Sequence, residues 1–424
     1  MHREPYRLVI LGAGFSVPAG LPLARELSRE VLRRSYRRET FYHLNRDIDR
    51  YRDYERLRTG KRPNRNDVDI ERLLAFLDIE HYLALKGSDT WSDEGNKGQL
   101  AAKALLAGIL VERQAAMSSN QWSVYLKFAE ALRPHDEVVT FNYDTILEEA
   151  CERVGKPFRL CPWRYKTMND WGGTIDSSVH EVVVRKVHGS VDWYSSKQYL
   201  EQKLHHEKNP TTSARPYSNA RIFEHKAELG VERLVREPYS PDDPLYYMVR
   251  ARNVRNLVHP DGIWPPPFLV SPSASKIVYL KPLVDLWRGF NNAGWMQSQM
   301  IVIGFSFSAF DDYVLVPLIG AIDGFQTGTE KWSSYGRTRL KVVDFQPTAN
   351  ERRRFRRRVK WISWRRTNAF WRGLTVEDIP TILEPSTFDE KRWNRRHRPD
   401  VPTSQLDNAY QSTPARTTHV AKPK

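Results

Sequence analysis

The feature that most constrains this chain is a set of short, unbroken apolar runs that stop in glycine or a polar residue. Arg7 to Leu11 (RLVIL) stops at Gly12, Glu137 to Phe141 (EVVTF) at Asn142, and Val182 to Val187 (VVVRKV) at His188. Met300 to Phe305 (MIVIGF) stops at Ser306, and Leu340 to Phe345 (LKVVDF) carries Asp344 at its end. Runs this short and without alternation are strands buried on both faces. Helical patterns lie between them: a stripe of Leu23, Leu27, Val31 and Leu32, the amphipathic stretch Val68 to Leu85, then Leu100–Ala116, Trp122–Leu132, Thr145–Val154, Leu283–Trp295 and the basic Ala349–Lys360. Strands and helices in this order specify an α/β fold, a Rossmann-like parallel sheet with helices on both faces. Trp361 to Trp364 is expected as a last short strand.

The sheet-forming parts are expected at 1–39, 133–195 and 265–385. Residues 40–132 read as a helical insertion. Residues 196–264, polar and rich in Pro and charge with no sustained period, read as a second, irregular insertion. The tail, 386–424, is basic and expected to be largely disordered. No run approaches eighteen apolar residues, so no membrane-spanning helix is expected. Two cysteines, Cys151 and Cys161, cannot make a four-thiolate zinc site or a disulfide framework, which points to a reducing, cytoplasmic setting without zinc.

Each strand end carries residues suited to a ligand. Gly12-Ala13-Gly14-Phe15-Ser16 follows the first strand, a position where glycines permit a tight turn and close backbone approach to a phosphate. It lacks the third glycine of a dinucleotide fingerprint, having Val17 instead, and glycines kept for turn geometry alone explain it equally well. Thr140-Phe141-Asn142-Tyr143-Asp144 could hold a ribose and a carboxamide through Asn142 and Asp144, or cap the next helix. His188, in His188-Gly189, suits a general base at neutral pH by its position at a strand end. Gly304-Phe305-Ser306 is another close-approach loop, and Asp344 could meet a ribose.

In their order, these five segments resemble the sirtuin family, and more closely its bacterial sirtuin-like branch. The resemblance covers about residues 5–35, 135–195 and 265–365. It implies that NAD is bound as a substrate. Gly12, Ala13, Gly14, Phe15 and Ser16 would lie on the pyrophosphate, and Asn142 and Asp144 on the nicotinamide ribose and carboxamide. His188 would be the catalytic base, and Gly304, Phe305, Ser306 and Asp344 would line the adenosine side. Two departures narrow the implied activity. Residues 189–424 contain no cysteine, so the zinc ribbon of the deacylases is absent, and Leu23-Ala24-Arg25 stands where deacylases carry Asp-Phe-Arg. The implied activity is therefore NAD hydrolysis of the anti-phage-defence type, with protein deacylation, ADP-ribosyl transfer or non-catalytic NAD or ADP-ribose binding as alternatives. Because unchecked NAD loss would be toxic, control by a homo-oligomer or a regulatory protein partner is expected.

Charge poses a separate question. The formal net charge is +15, and the segment 351–398 holds a surplus of nine positive charges. There Arg352 to Arg358 is interleaved with Phe355, Trp361, Trp364 and Trp371. Such a mixture suits nonspecific nucleic-acid contact, or equally a solvated helix face over packed aromatics. A second basic stretch runs from Arg25 to Arg72.

Overall fold

The computed structural model describes residues 7–86, 94–160, 165–169, 172–175, 178–209, 220–234, 244–270, 279–287, 290, 299–307, 312–327 and 339–384. Seven strands make one wholly parallel sheet: β1 (Arg7–Leu11), β2 (Glu137–Thr140), β3 (Phe158–Leu160), β4 (Val182–Lys186), β5 (Gln299–Ile303), β6 (Leu340–Val343) and β7 (Thr367–Phe370). Their order in space is β7-β6-β5-β1-β2-β4-β3. The chain moves from β1 to one side through β2, then returns to the other side of β1 with β5. That reversal is a topological switch point, where open α/β sheets leave a crevice.

Every residue of β1, β2, β4, β5 and β6 is buried, which explains why these strands read as predominantly apolar runs, with Arg185, Lys186 and Lys341 buried on polar partners. Alternate side chains feed two cores. Val9, Leu11, Val138, Val184, Ile301 and Ile303 pack into one. Leu8, Ile10, Val139, Met300, Val302 and Val342 pack into the other. The first core is closed by α1 (Ala24–Ser35), α2 (Tyr42–Thr59), α3 (Ile70–Tyr82), α4 (Lys97–Ala115), α5 (Ser119–Ala131) and α6 (Ile146–Arg153). The second is closed by α7 (Asp312–Thr327) and by α8 (Ala349–Arg358), which inserts Phe355.

Local chemistry sets the helix starts. Asn96 with Gln99, Ser118 with Gln121, and Thr348 with Glu351 form reciprocal capping boxes that satisfy the first free N–H groups of α4, α5 and α8. Asp69 caps α3 by accepting from the N–H groups of Glu71 and Arg72.

Four expectations are corrected. Trp361 to Trp364 is not the last strand; that strand is Thr367–Phe370, and Trp364 opens a short 3-10 helix before it. As an edge strand with one paired side, β7 is half-exposed, so its sequence TNAF carries no apolar run. Residues 196–264 are more regular than their composition suggests. A helix spans Lys197–Lys208, and Trp193–Ser195, Met248–Ala251 and Val231–Arg233 form a three-stranded antiparallel sheet. Long-range pairing of 248–251 with 193–195 supplies the order that local periodicity does not. A 3-10 helix over Ala13–Ala19 separates β1 from α1, which begins at Ala24, so Leu23 of the expected stripe lies just outside it. Finally, the expected helix over Leu283–Trp295 is a 3-10 turn at Lys281–Trp287, and its remainder lies largely outside the described residues. The tail 386–424 also lies outside them.

Candidate active site

The register of the sheet places the predicted residues along one edge. Leu11 is opposite both Ile303 and Thr140, Thr140 is opposite Lys186, and Ile303 is opposite Val343. The residues just beyond these ends, Gly12, Asn142, His188, Gly304 and Asp344, therefore stand beside one another, though their strands are far apart in sequence.

At the switch point the loops after β1 and β5 are in contact. Gly12 N–H donates to the Ile303 carbonyl at 2.9 Å, and Gly14 N–H donates to the Gly304 carbonyl at 2.8 Å. A Cβ on Gly14 would lie 2.6 Å from Gly304 Cα, and one on Gly304 would lie 2.3 Å from the Gly14 carbonyl carbon. Gly304 also has φ of +61°, where a side chain is strained. These glycines are thus required for the loops to approach each other, and two N–H groups of the first loop are already occupied. The Phe15 ring lies in the core, edge-on to Tyr125 and Phe128. Of this loop, Gly12, Ala13 and Ser16 line the cleft.

That cleft gathers Gly12, Ser16, Asn142, Asp144, His188 and Ser306. Asn142 donates both amide hydrogens, to the Gly12 carbonyl at 3.0 Å and to Ser16 Oγ at 3.1 Å. The amide is thereby oriented, and Oδ1 is left as an acceptor with no hydrogen bond among the described residues. Ser16 Oγ donates to Asp144 Oδ2 at 2.7 Å, while Asp144 Oδ1 accepts from Ile146 N–H at 3.2 Å. Asp144 therefore serves the start of α6 as a cap and faces the cleft as well. Beneath it, the buried Lys186 ammonium donates to the Asp144 carbonyl and pairs with Glu148 Oε1 at 2.8 Å. Burial pushes the Glu148 carboxyl above its ordinary range despite that partner. Tyr125 clamps the first loop, donating to the Phe15 carbonyl at 3.0 Å and accepting from Ala19 N–H at 2.9 Å. Burial, with the Asp144 charge added, raises its phenol well above the usual range.

His188 sits in an aromatic box. Phe141 is edge-on at 5.1 Å between ring centres, with Tyr143 at 6.2 Å and Tyr313 at 5.9 Å. Its Nε2 is hydrogen-bonded to the Tyr313 hydroxyl. Sequence reasoning missed Tyr313 because it lies in the apolar helix α7, without a motif of its own. It also missed one wall of the cleft. Ile70 and Glu71 of α3 and Leu106 and Leu110 of α4 line it, so the helical insertion is part of the site. Only the amphipathic pattern of those helices hinted at a buried face.

Asp344 does not line this cleft. Its carboxylate accepts from Phe345 N–H at 2.9 Å and from Gln346 Nε2 at 3.1 Å, and burial raises its pKa. Among the described residues, no group of three or more His, Cys, Asp and Glu is placed to hold a metal, and no helix is long and apolar enough to cross a membrane.

No protein-family model matches the chain, and no curated protein does. Among solved structures it is similar to Sir2Tm bound to a propionylated peptide, at 13% identity and a TM-score of 0.29 over 89% of this chain and 92% of that one. A structure described for the mechanism and regulation of Sir2 enzymes shows 15% identity and a TM-score of 0.30 over 92% and 94%. Likeness at this level carries no inference about activity, and the fold class rests on the parallel order and register of the sheet itself.

Proposed function

We propose that the chain uses NAD and hydrolyses its nicotinamide–ribose bond, releasing nicotinamide and ADP-ribose. The observation that supports this reading is the gathering of Ser16, Asn142, Asp144 and His188, from three sequence-distant strand ends, around one cleft at the switch point. The order of the motifs that the chain shares with sirtuin-like proteins supports the same reading, and with it a role in bacterial anti-phage defence by NAD depletion.

The chemistry suits these side chains. Cleavage passes through an oxocarbenium-like transition state, as in glycoside hydrolysis. Nicotinamide leaves as a neutral molecule from a cationic ring, so no general acid is required. What the protein must supply is a held ribose, a placed water and a base. Asn142, its amide hydrogens already taken, offers Oδ1 to a ribose hydroxyl or the water. His188 accepts the water's proton. Ser16 and Asp144 hold Asn142 and one another in place. With two N–H groups of the first loop occupied by β5 and its loop, pyrophosphate contact falls to Ala13 and Ser16. Ile70 of α3 and Leu106 and Leu110 of α4 give the cleft an apolar wall.

The test is to incubate the purified protein with NAD and identify products by mass. Free nicotinamide and ADP-ribose are expected, and both are lost in His188→Ala and Asn142→Ala. Turnover that needs an acylated peptide would move the reading to deacylation, and label on a protein acceptor would move it to ADP-ribosyl transfer. Unchanged hydrolysis in both variants would remove these residues from the mechanism.

A further inference from the structure

We propose that α8 and the loop that follows it form a docking surface for the phosphate backbone of a nucleic acid. The two basic stretches, indistinguishable by composition, differ in three dimensions. In the first, eight of the fourteen arginines are in ion pairs among the described residues, within their own helices or with neighbours. Arg34 pairs with Glu30 and Glu112, Arg50 with Glu80, Arg58 with Glu55, and Arg62 with Asp53. Much of the charge there is neutralised locally.

In the second stretch, Arg353, Arg354, Arg356, Arg357, Arg358 and Arg365 are all exposed, and none forms an ion pair with a carboxylate among the described residues. The one acid of α8, Glu351, is occupied by the capping box, accepting from Thr348 N–H at 2.9 Å and Thr348 Oγ1 at 2.7 Å. The helix is anchored beneath by Phe355, Val359 and Ile362 in the second core, so the arginines project from a rigid base. Arg356 is held further, with its guanidinium 5.1 Å from the ring centre of Trp364 and 5.5 Å from that of Trp371.

The charge and its presentation select the occupant. A row of guanidiniums without carboxylate partners matches phosphates spaced along a strand, and release of counterions supplies the affinity. Arg356 covers the two tryptophans, so base stacking is not offered and little sequence preference is expected. The chain's own tail is a poor occupant, since residues 386–424 carry a surplus of four positive charges. The surface does not depend on the NAD reading.

The experiment uses the full-length protein and a fluorescein-labelled single-stranded DNA of mixed sequence, read by anisotropy across a salt series. Binding that weakens steeply with salt is expected. A variant carrying Arg353→Glu, Arg354→Glu, Arg357→Glu and Arg358→Glu should bind at least about tenfold more weakly. Its log–log salt slope should be shallower by about 0.7 for each phosphate that the variant no longer neutralises. Arg56→Glu with Arg58→Glu, in the paired stretch, should bind as the parent does. A second set with glutamine at the four α8 positions, checked by circular dichroism, separates lost charge from lost folding. Absence of salt-dependent binding by the parent, equal binding by the folded four-site variants, or binding to phosphatidylserine vesicles but not to DNA would each overturn the proposal.

Discussion

Replacing Gly304 by alanine separates two explanations of the glycine loops. If the glycines serve ligand approach alone, the apo protein should tolerate a methyl group there. The structure predicts otherwise. A Cβ at Gly304 would stand 2.3 Å from both the carbonyl carbon of Gly14 and the nitrogen of Phe15, backbone atoms that cannot rotate away. Its φ of +61° adds a conformational cost of about 1–2 kcal/mol for a residue with a side chain. To relieve the contact the loops must part. That stretches the 2.8 Å bond from Gly14 to the Gly304 carbonyl, worth about 1 kcal/mol, and strains the Gly12–Ile303 bond beside it. Together these give a loss of about 3 kcal/mol without any ligand. At an m-value of about 3 kcal/mol/M, the urea midpoint of Gly304→Ala should fall by about 1 M. NAD turnover should fall with it, because Gly12 also holds Asn142. An unchanged midpoint combined with lost turnover would refute the loop-packing argument and restore the ligand-approach reading.

Other perturbations follow from the same contacts. Lys186→Met leaves Glu148 buried without its cation and should cost about 3–5 kcal/mol, whereas Lys186→Met with Glu148→Leu should recover much of that loss. Because burial raises the folded pKa of Glu148 above its unfolded value, its charged form opposes folding. The deficit of the single variant should therefore shrink as pH falls toward the unfolded carboxyl range and grow above it, as denaturation at several pH values would show. Tyr313→Phe removes the hydroxyl that orients His188 and should lower kcat about tenfold with KM little changed. An unchanged kcat would exclude Tyr313 from positioning His188. Cys151 is buried with its thiol pushed up to about 12, so with Cys161 replaced by serine the native protein should react with a thiol reagent only as it unfolds.

Much of the fold was legible in the chain because buried parallel strands cannot be disguised. RLVIL, EVVT and QMIVI are covered on both faces, so their interiors are apolar, and their ends mark the edge that carries the cleft. β7 and β3 were not legible, since an edge strand of three or four half-buried residues has no such requirement. The motifs at the strand ends were visible, but what each residue does there was not. Phe15 belongs to a core and Asp344 to its own loop, while Asp144 makes the cap that was one of its two readings and faces the cleft as well. The charge was visible as well, but not which of two basic stretches is freer, because pairs such as Arg34–Glu112 and Arg50–Glu80 join side chains brought together from different helices.

The sequence by itself determined the layers, the parallel sheet and the edge that carries the cleft, since burial and strand period are local properties. Only the tertiary structure decided that the glycines of two distant loops make room for each other, that Tyr313 reaches His188, and that insertion helices close the cleft. The first two are contacts between segments more than a hundred residues apart and the third joins separate helices to strand ends, and the pattern of no one segment contains them.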